Sequence, residues 1–238
     1  MKYEELVNVY EALNATTKRL EKTEILSNFL KTVNSELLPQ VTLMCLGKVF
    51  PSWSEEEQGI GDKLVMKAVA DVAGVSVLDV ENEVRDKGDI GAASEVLVKN
   101  KKQMTFFSQA LTIEFVFNNL RKLTTISGNR STSRKISIIL ELLSSASAVE
   151  SKYICRTIVE QLRIGVGEGI IRDGISGALS IDKEIVDRAS MLTNDLGIVA
   201  KVAIEEGAEG LQKLNLTPGT PVKLMLAQLS EGIYASIN

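Results

Sequence analysis

Apolar residues recur at helical spacing almost from the first residue. Leu6, Val9, Tyr10 and Leu13 mark one amphipathic helix, and Leu26, Phe29, Leu30 and Val33 mark a second. Leu64, Val65, Ala68, Val69 and Val72 mark another. Later segments with the same period are 110–123, 133–144, 148–162, 169–179, 183–192 and 195–206. Asp182 and Ser133 are placed as N-caps. Strand-like alternation is scarce. The pattern predicts an all-α chain of about a dozen helices. Two of the four prolines, Pro218 and Pro221, lie in NLTPGTPVK, which reads as the end of the helical body at about residue 215 and the start of an extended connector, 216–238.

The helical pattern repeats. GIGDKLVMKAVA (59–70) aligns with GVGEGIIRDGIS (165–176), matching Gly59 and Gly61 with Gly165 and Gly167, and Leu64, Val65 and Val69 with Ile170, Ile171 and Ile175. KTEILSNFLK (22–31) aligns with KISIILELLS (135–144) in its apolar positions. The two offsets, 106 and 113, differ by the longer turn FPSWSEEEQ in the first copy. The repeat predicts two similar halves, about 1–110 and 111–215, related by a pseudo-twofold. Such an object suits a pseudo-symmetric ligand, and duplex DNA is one.

The totals narrow the chemistry. The 238 residues are 45% hydrophobic, enough for a sizeable core, and no apolar run reaches the roughly 18 residues of a membrane span. The N-terminus is amphipathic and not a signal peptide. Cys45 and Cys155 sit in apolar helical surroundings and read as reduced core residues of a cytoplasmic protein. The chain has no histidine, which removes histidine-based catalysis; with two distant cysteines, a zinc site is disfavoured too. The net charge of −4 argues mildly against nucleic acid, but residues 118–172 hold nine basic residues against four acids. That local surplus of five is the footprint expected of a polyanion site; a solvated face with chance clustering is the alternative.

QLRIGVGEGIIRDGI (161–175) concentrates four glycines, Gly165, Gly167 and Gly169 between Arg163 and Arg172 and Gly174 just beyond. A dinucleotide loop needs a preceding strand, whereas AVESKYICRTIVEQLR is helical in pattern, with Ile154, Ile158, Val159 and Leu162 on one side. No GK[ST] follows, so a Walker loop fails. A helix–glycine turn–helix remains. Its small residues can expose successive N–H groups at a helix start, where phosphate binds, with Arg163 and Arg172 adding charge. A tight packing turn is the other reading; the second copy at Gly59 and Gly61, followed by Lys63 and Lys67, weighs against it.

Five motifs, GIGDK (59–63), SGNRSTSRK (127–135), LRIGVGEG (162–169), DLGIVA (195–200) and PVKLMLAQ (221–228), together resemble the N-terminal DNA-binding domain of archaeal ATP-dependent DNA ligases, related to eukaryotic DNA ligase I. The resemblance implies an all-α domain that grips nicked double-stranded DNA through phosphates and the minor groove, serving DNA replication, repair and recombination. It implies a phosphate-contacting loop of Ser127, Gly128, Asn129, Arg130 and Ser131. It implies backbone donors at Gly165, Val166 and Gly167 with Arg163 and Arg172 near them, and equivalents at Gly59, Gly61 and Lys63. Lys135 and Lys48 are weaker candidates. Such ligases also carry a KxDG adenylation motif after the MLAQ segment. It is absent here, where RDKGD (85–89) has the wrong order. The chain is therefore expected to be a piece of a longer ligase that binds DNA without sealing it. The connector would lead to the missing adenylation domain, and ATP and Mg would be used only in the full-length ligase. The resemblance further implies that Gln103, Phe106 and Phe107, in KKQMTFFSQ, dock a sliding clamp of the proliferating-cell-nuclear-antigen (PCNA) type. On pattern alone that Phe pair reads as helix core. A monomer without metal or membrane is expected. The alternative is a helical protein-interaction module that docks a clamp without touching DNA.

Overall fold

The structure is a computed structural model, and it describes residues 1–54, 56, 60–99 and 110–223. Among them the chain forms α1 (Tyr3–Asn14), α2 (Arg19–Leu30), α3 (Leu38–Cys45), α4 (Asp62–Ala73), α5 (Val77–Lys87) and α6 (Ile90–Lys99). A second series follows: α7 (Ile113–Thr125), α8 (Ser131–Ser145), α9 (Ala148–Ile158), α10 (Glu168–Leu179), α11 (Lys183–Thr193) and α12 (Leu196–Lys213). A short 3-10 turn, Ser35–Leu37, precedes α3. The described residues contain no strand beyond one isolated antiparallel bridge, Lys2 to Thr112. The expected all-α fold is what the chain adopts.

The packing repeats as the sequence does, but with partners exchanged between the series. α10 packs on α2, and its counterpart α4 packs on α8; α12 packs on α3 as α6 packs on α9. Within each series α4, α5 and α6 touch one another pairwise, and so do α10, α11 and α12. The bridge lies at the meeting of the two series: Tyr3 donates to the Leu111 carbonyl at 2.8 Å and Ile113 donates to the Met1 carbonyl at 3.2 Å. Left-handed helix ends recur at matched positions, Gly74 with Ser180 and Gly88 with Asn194. One continuous core results. Leu6, Tyr10 and Leu13 of α1, Val116, Leu120 and Leu123 of α7, and Tyr153 and Cys155 of α9 are buried in it. Both cysteines are free and buried, and burial pushes each thiol up to about 12.

Three boundaries depart from the sequence reading. Ser133 is not an N-cap: α8 begins at Ser131, behind a left-handed Arg130, so Ser133 stands inside the first turn. Asp182 does cap α11, accepting from the Glu184 amide at 2.8 Å. α9 stops at Ile158 rather than 162, because Glu160 and then Arg163 take left-handed backbone. α12 continues past 206 to Lys213 across a break at Gly207. Beyond it the chain turns at Pro218–Gly219 and runs back over α11, where the Lys223 amide donates to the Met191 carbonyl at 3.2 Å and Asn194 donates to the Pro221 carbonyl.

Candidate nucleic-acid interface

The glycine turn between α9 and α10 is held from beneath. Leu162 and Ile164 are buried, Leu162 lying against Gly47, while Gly165 and Gly167 are exposed and Val166 is half-buried. Gly165 has φ of +64°, which an L side chain adopts only with strain. A Cβ there would also lie 2.5 Å from the ammonium of Lys22. That lysine, on α2 and only 6% exposed, donates to the carbonyls of Ile164 at 2.5 Å and Gly165 at 3.3 Å. Gly167 is the N-cap of α10 in extended backbone, with nothing near the place of a Cβ. None of the five consecutive amides from Gly165 to Gly169 donates to a protein acceptor among the described residues. A run of amides without a protein acceptor at a helix start is a ready anion site.

Not every glycine of the stretch serves that purpose. Gly174 and Gly177 let α10 approach α2: a Cβ would meet Leu26 Cβ at 3.3 Å and Ser27 Oγ at 3.2 Å, respectively. Arg172 is turned to the protein, bonded to Asp187 of α11 at 2.6 Å, with its Nε buried. Arg163 stays exposed, and its guanidinium donates to the Gly88 carbonyl at 3.1 Å and to Gln161 at 2.9 Å, tying the turn to the end of α5. Glu168, the first residue of α10, ion-pairs with Lys223 of the connector and accepts from Ser52, which Lys48 in turn holds at 3.0 Å. Burial pushes the Glu168 carboxyl up, but Lys223, Ser52 and Lys48 outweigh it and keep the carboxyl below its ordinary range.

The matched turn is partly described. Gly61 caps α4 without a side-chain partner, as Gly167 caps α10, and Lys63 and Lys67 are exposed on its outer face. Gly59 lies outside the described residues, as do Gln103, Phe106 and Phe107. Before α8, Ser127, Gly128, Asn129 and Arg130 are exposed, and the Ser131 amide closes the turn on the Gly128 carbonyl at 3.1 Å. Arg130, Arg134 and Lys135 form no ion pair among the described residues. Since α4 packs on α8, the fold brings Gly61 and Lys63 together with the helix that carries this loop.

The charge surplus of 118–172 needs correction. Lys152 is bonded to Glu11 at 2.8 Å and Glu95 at 3.4 Å, and Arg156 grips Asp89 at 2.5 Å in the interior. With Arg172, these three cations are neutralised by acids that lie outside the segment. Arg121 stacks on Phe50, 4.5 Å from the ring centre. The outward cations of the segment reduce to Arg130, Arg134, half-buried Lys135 and Arg163, with Lys122 bonded to Asn119. Lys22 escaped the sequence reading. A lysine in a helix looks like a surface residue, and its one signal was its match to Lys135 in the repeat.

Residues 2–176 match the family described as DNA ligase N terminus. The chain is 62% identical over its whole length to a DNA ligase of Methanobrevibacter smithii, of which it covers 43%. It is 57% identical over 99% of its length to a DNA ligase of Methanothermobacter thermautotrophicus, covering 42% of it, and 46% identical over 96% to one of Thermococcus fumicolans, covering 41%. The chain thus spans a little over two-fifths of these relatives. A helical body built on two matched glycine turns, with the family match running through both α4 and most of α10, leads to one assignment: the chain belongs to the DNA ligase N-terminal family.

Proposed function

We propose that this chain is the DNA-gripping part of an ATP-dependent DNA ligase, holding nicked duplex through phosphates without reading sequence. The observation that carries the reading is the run of five undonated amides, Gly165 to Gly169, at the start of α10, on a surface shared with exposed Arg163. Phosphate contacts from amides, helix starts and arginines fix a protein on a duplex and carry no sequence information. Arg130, Arg134 and Lys135, in and beside the loop 127–131, supply the second grip, and Gly61 and Lys63 stand at the start of α4, the helix that packs on α8. Sealing itself would use ATP and Mg held elsewhere in the ligase, since the chain carries no KxDG. Docking to a sliding clamp through Gln103, Phe106 and Phe107 rests on that motif alone. We further read the chain as a cytoplasmic monomer; among the described residues no helix is long and apolar enough to cross a membrane.

The test is fluorescence anisotropy of a labelled nicked duplex over a salt series, with wild type, Arg134→Ala and Arg172→Ala. The wild-type affinity is expected to fall along a log–log line, and Arg134→Ala to lose about 0.9 of a unit of slope for its one phosphate. Arg172→Ala keeps the wild-type slope, because its guanidinium is held by Asp187. Absence of binding at low salt would reject the reading in favour of a protein-docking module.

A further inference from the structure

Lys22 is the one buried cation of the glycine turn. Its ammonium reaches two carbonyls of that turn, Ile164 and Gly165, and no ion pair to it is formed among the described residues. Burying a charge is costly unless dipoles or a counter-charge answer it. Here two carbonyls answer it in part, and a carboxylate does not. Arg156, also buried, has Asp89 against it. Lys22 has its charge left over, directly beneath an exposed turn.

The peptide geometry says what those two bonds accomplish. In a trans peptide the carbonyl of one residue and the N–H of the next point in opposite directions, and no peptide bond among the described residues is cis. Drawing the Ile164 carbonyl inward turns the Gly165 N–H outward. Drawing the Gly165 carbonyl inward turns the Val166 N–H outward. Both amides lack a protein acceptor among the described residues. The left-handed Gly165 completes the fit, since a side chain there would displace the ammonium.

We propose that Lys22 is a positioning residue for phosphate: it aims the Gly165 and Val166 amides outward and places an uncompensated positive charge below the phosphate they receive. The proposal rests on the DNA-binding reading given above. It predicts a loss that a purely structural lysine would not produce. Replacing a buried polar group by an apolar one of similar size changes stability alone, whereas losing a phosphate changes the salt dependence.

The experiment compares wild type, Lys22→Met and Lys22→Gln in nicked-duplex anisotropy between about 0.05 and 0.3 M salt. Lys22→Met is expected to lose about 0.9 of a unit of slope, equivalent to about eightfold in affinity at about 0.1 M salt. Lys22→Gln keeps an N–H donor for the carbonyls but no charge, so it is expected to recover part of the affinity and none of the slope. If wild type binds and Lys22→Met matches its slope and affinity, the role of Lys22 is overturned while the DNA reading stands. If wild type fails to bind, the DNA reading falls and takes this role with it. Should Lys22→Met not fold, amide NMR of the wild type decides. Downfield shifts of the Gly165 and Val166 protons on adding nicked duplex support the proposal. Unmoved signals there, with shifts at Gly128 to Arg130, overturn it.

Discussion

Two glycines separated by a single residue are present for different reasons, and alanine at each separates them. At Gly165 the backbone is left-handed and a Cβ would stand 2.5 Å from the Lys22 ammonium. The left-handed conformation costs alanine about 1 kcal/mol. Pushing the ammonium off its carbonyls removes a charged hydrogen bond, about 2 kcal/mol more. Gly165→Ala is therefore expected to lose about 3 kcal/mol, a fall of about 1 M in the urea midpoint for a slope of about 3 kcal/mol per M. At Gly167 the backbone is extended, with φ of −118° and ψ of 174°, and nothing lies within 4 Å of the added Cβ. The protein itself has no use for glycine there beyond the cap, so Gly167→Ala costs about 0.5 kcal/mol. The methyl group would instead enter open space at the start of α10, where the amides have no protein acceptor among the described residues. DNA affinity of Gly167→Ala should fall about tenfold, the loss of about one hydrogen bond to a charged group, with the salt slope unchanged because no cation is removed. Urea unfolding and anisotropy on the same two variants give both readouts. The reasoning is refuted if Gly167→Ala unfolds as early as Gly165→Ala, or if it unfolds and binds DNA as wild type does.

Two further outcomes follow from the charged interior and the connector. Asp89→Ala leaves Arg156 buried without its partner, and one Arg156 nitrogen already lacks one, so urea unfolding should show a loss of about 3–5 kcal/mol at neutral pH. Burial pushes the Asp89 carboxyl up, but the Arg156 guanidinium and the Gly91 amide more than reverse it and hold it below the ordinary range. Its contribution is thus present above the unfolded value of about 4 and is lost as pH falls through the lower folded value; unfolding measured down to about pH 3 should show a shallower acid limb in Asp89→Ala than in wild type. Lys223→Met removes the ion pair to Glu168, so the Glu168 carboxyl, followed by carbon-detected NMR titration, should titrate at higher pH than in wild type; an unchanged titration would mean that the connector does not neutralise the start of α10.

What the sequence disclosed and what it withheld divide along one physical line. Periodicity is local, so α1, α2, α4 and the helices from α7 to α12 could be placed from apolar spacing, and the break at Gly207 falls where the pattern of the last helix runs out. α3, α5 and α6 could not be placed individually: α3 has only eight residues, and α5, though as long as α9 and α11, buries Val80 alone from its own face. The repeat was legible because it compares like with like along the chain. The exchange of partners was not, because nothing in the pattern of α10 says whether it buries its apolar face on α8 of its own series or on α2 of the other. The same limit governs charge. Counting residues 118–172 assumes that a cation's counter-charge is near it in sequence, yet Lys152 finds Glu11 141 residues away and Arg156 finds Asp89 67 away. Long-range pairing also hid Lys22, whose carbonyl partners lie more than 140 residues further on. The glycines of 161–175 show the limit most sharply. Their density signalled close approach but not to what: Gly174 admits α2, Gly165 admits an ammonium from α2, and Gly167 faces open space. A glycine that nothing in the protein requires, at a helix start with its amides undonated, is the one whose reason must be sought in a ligand.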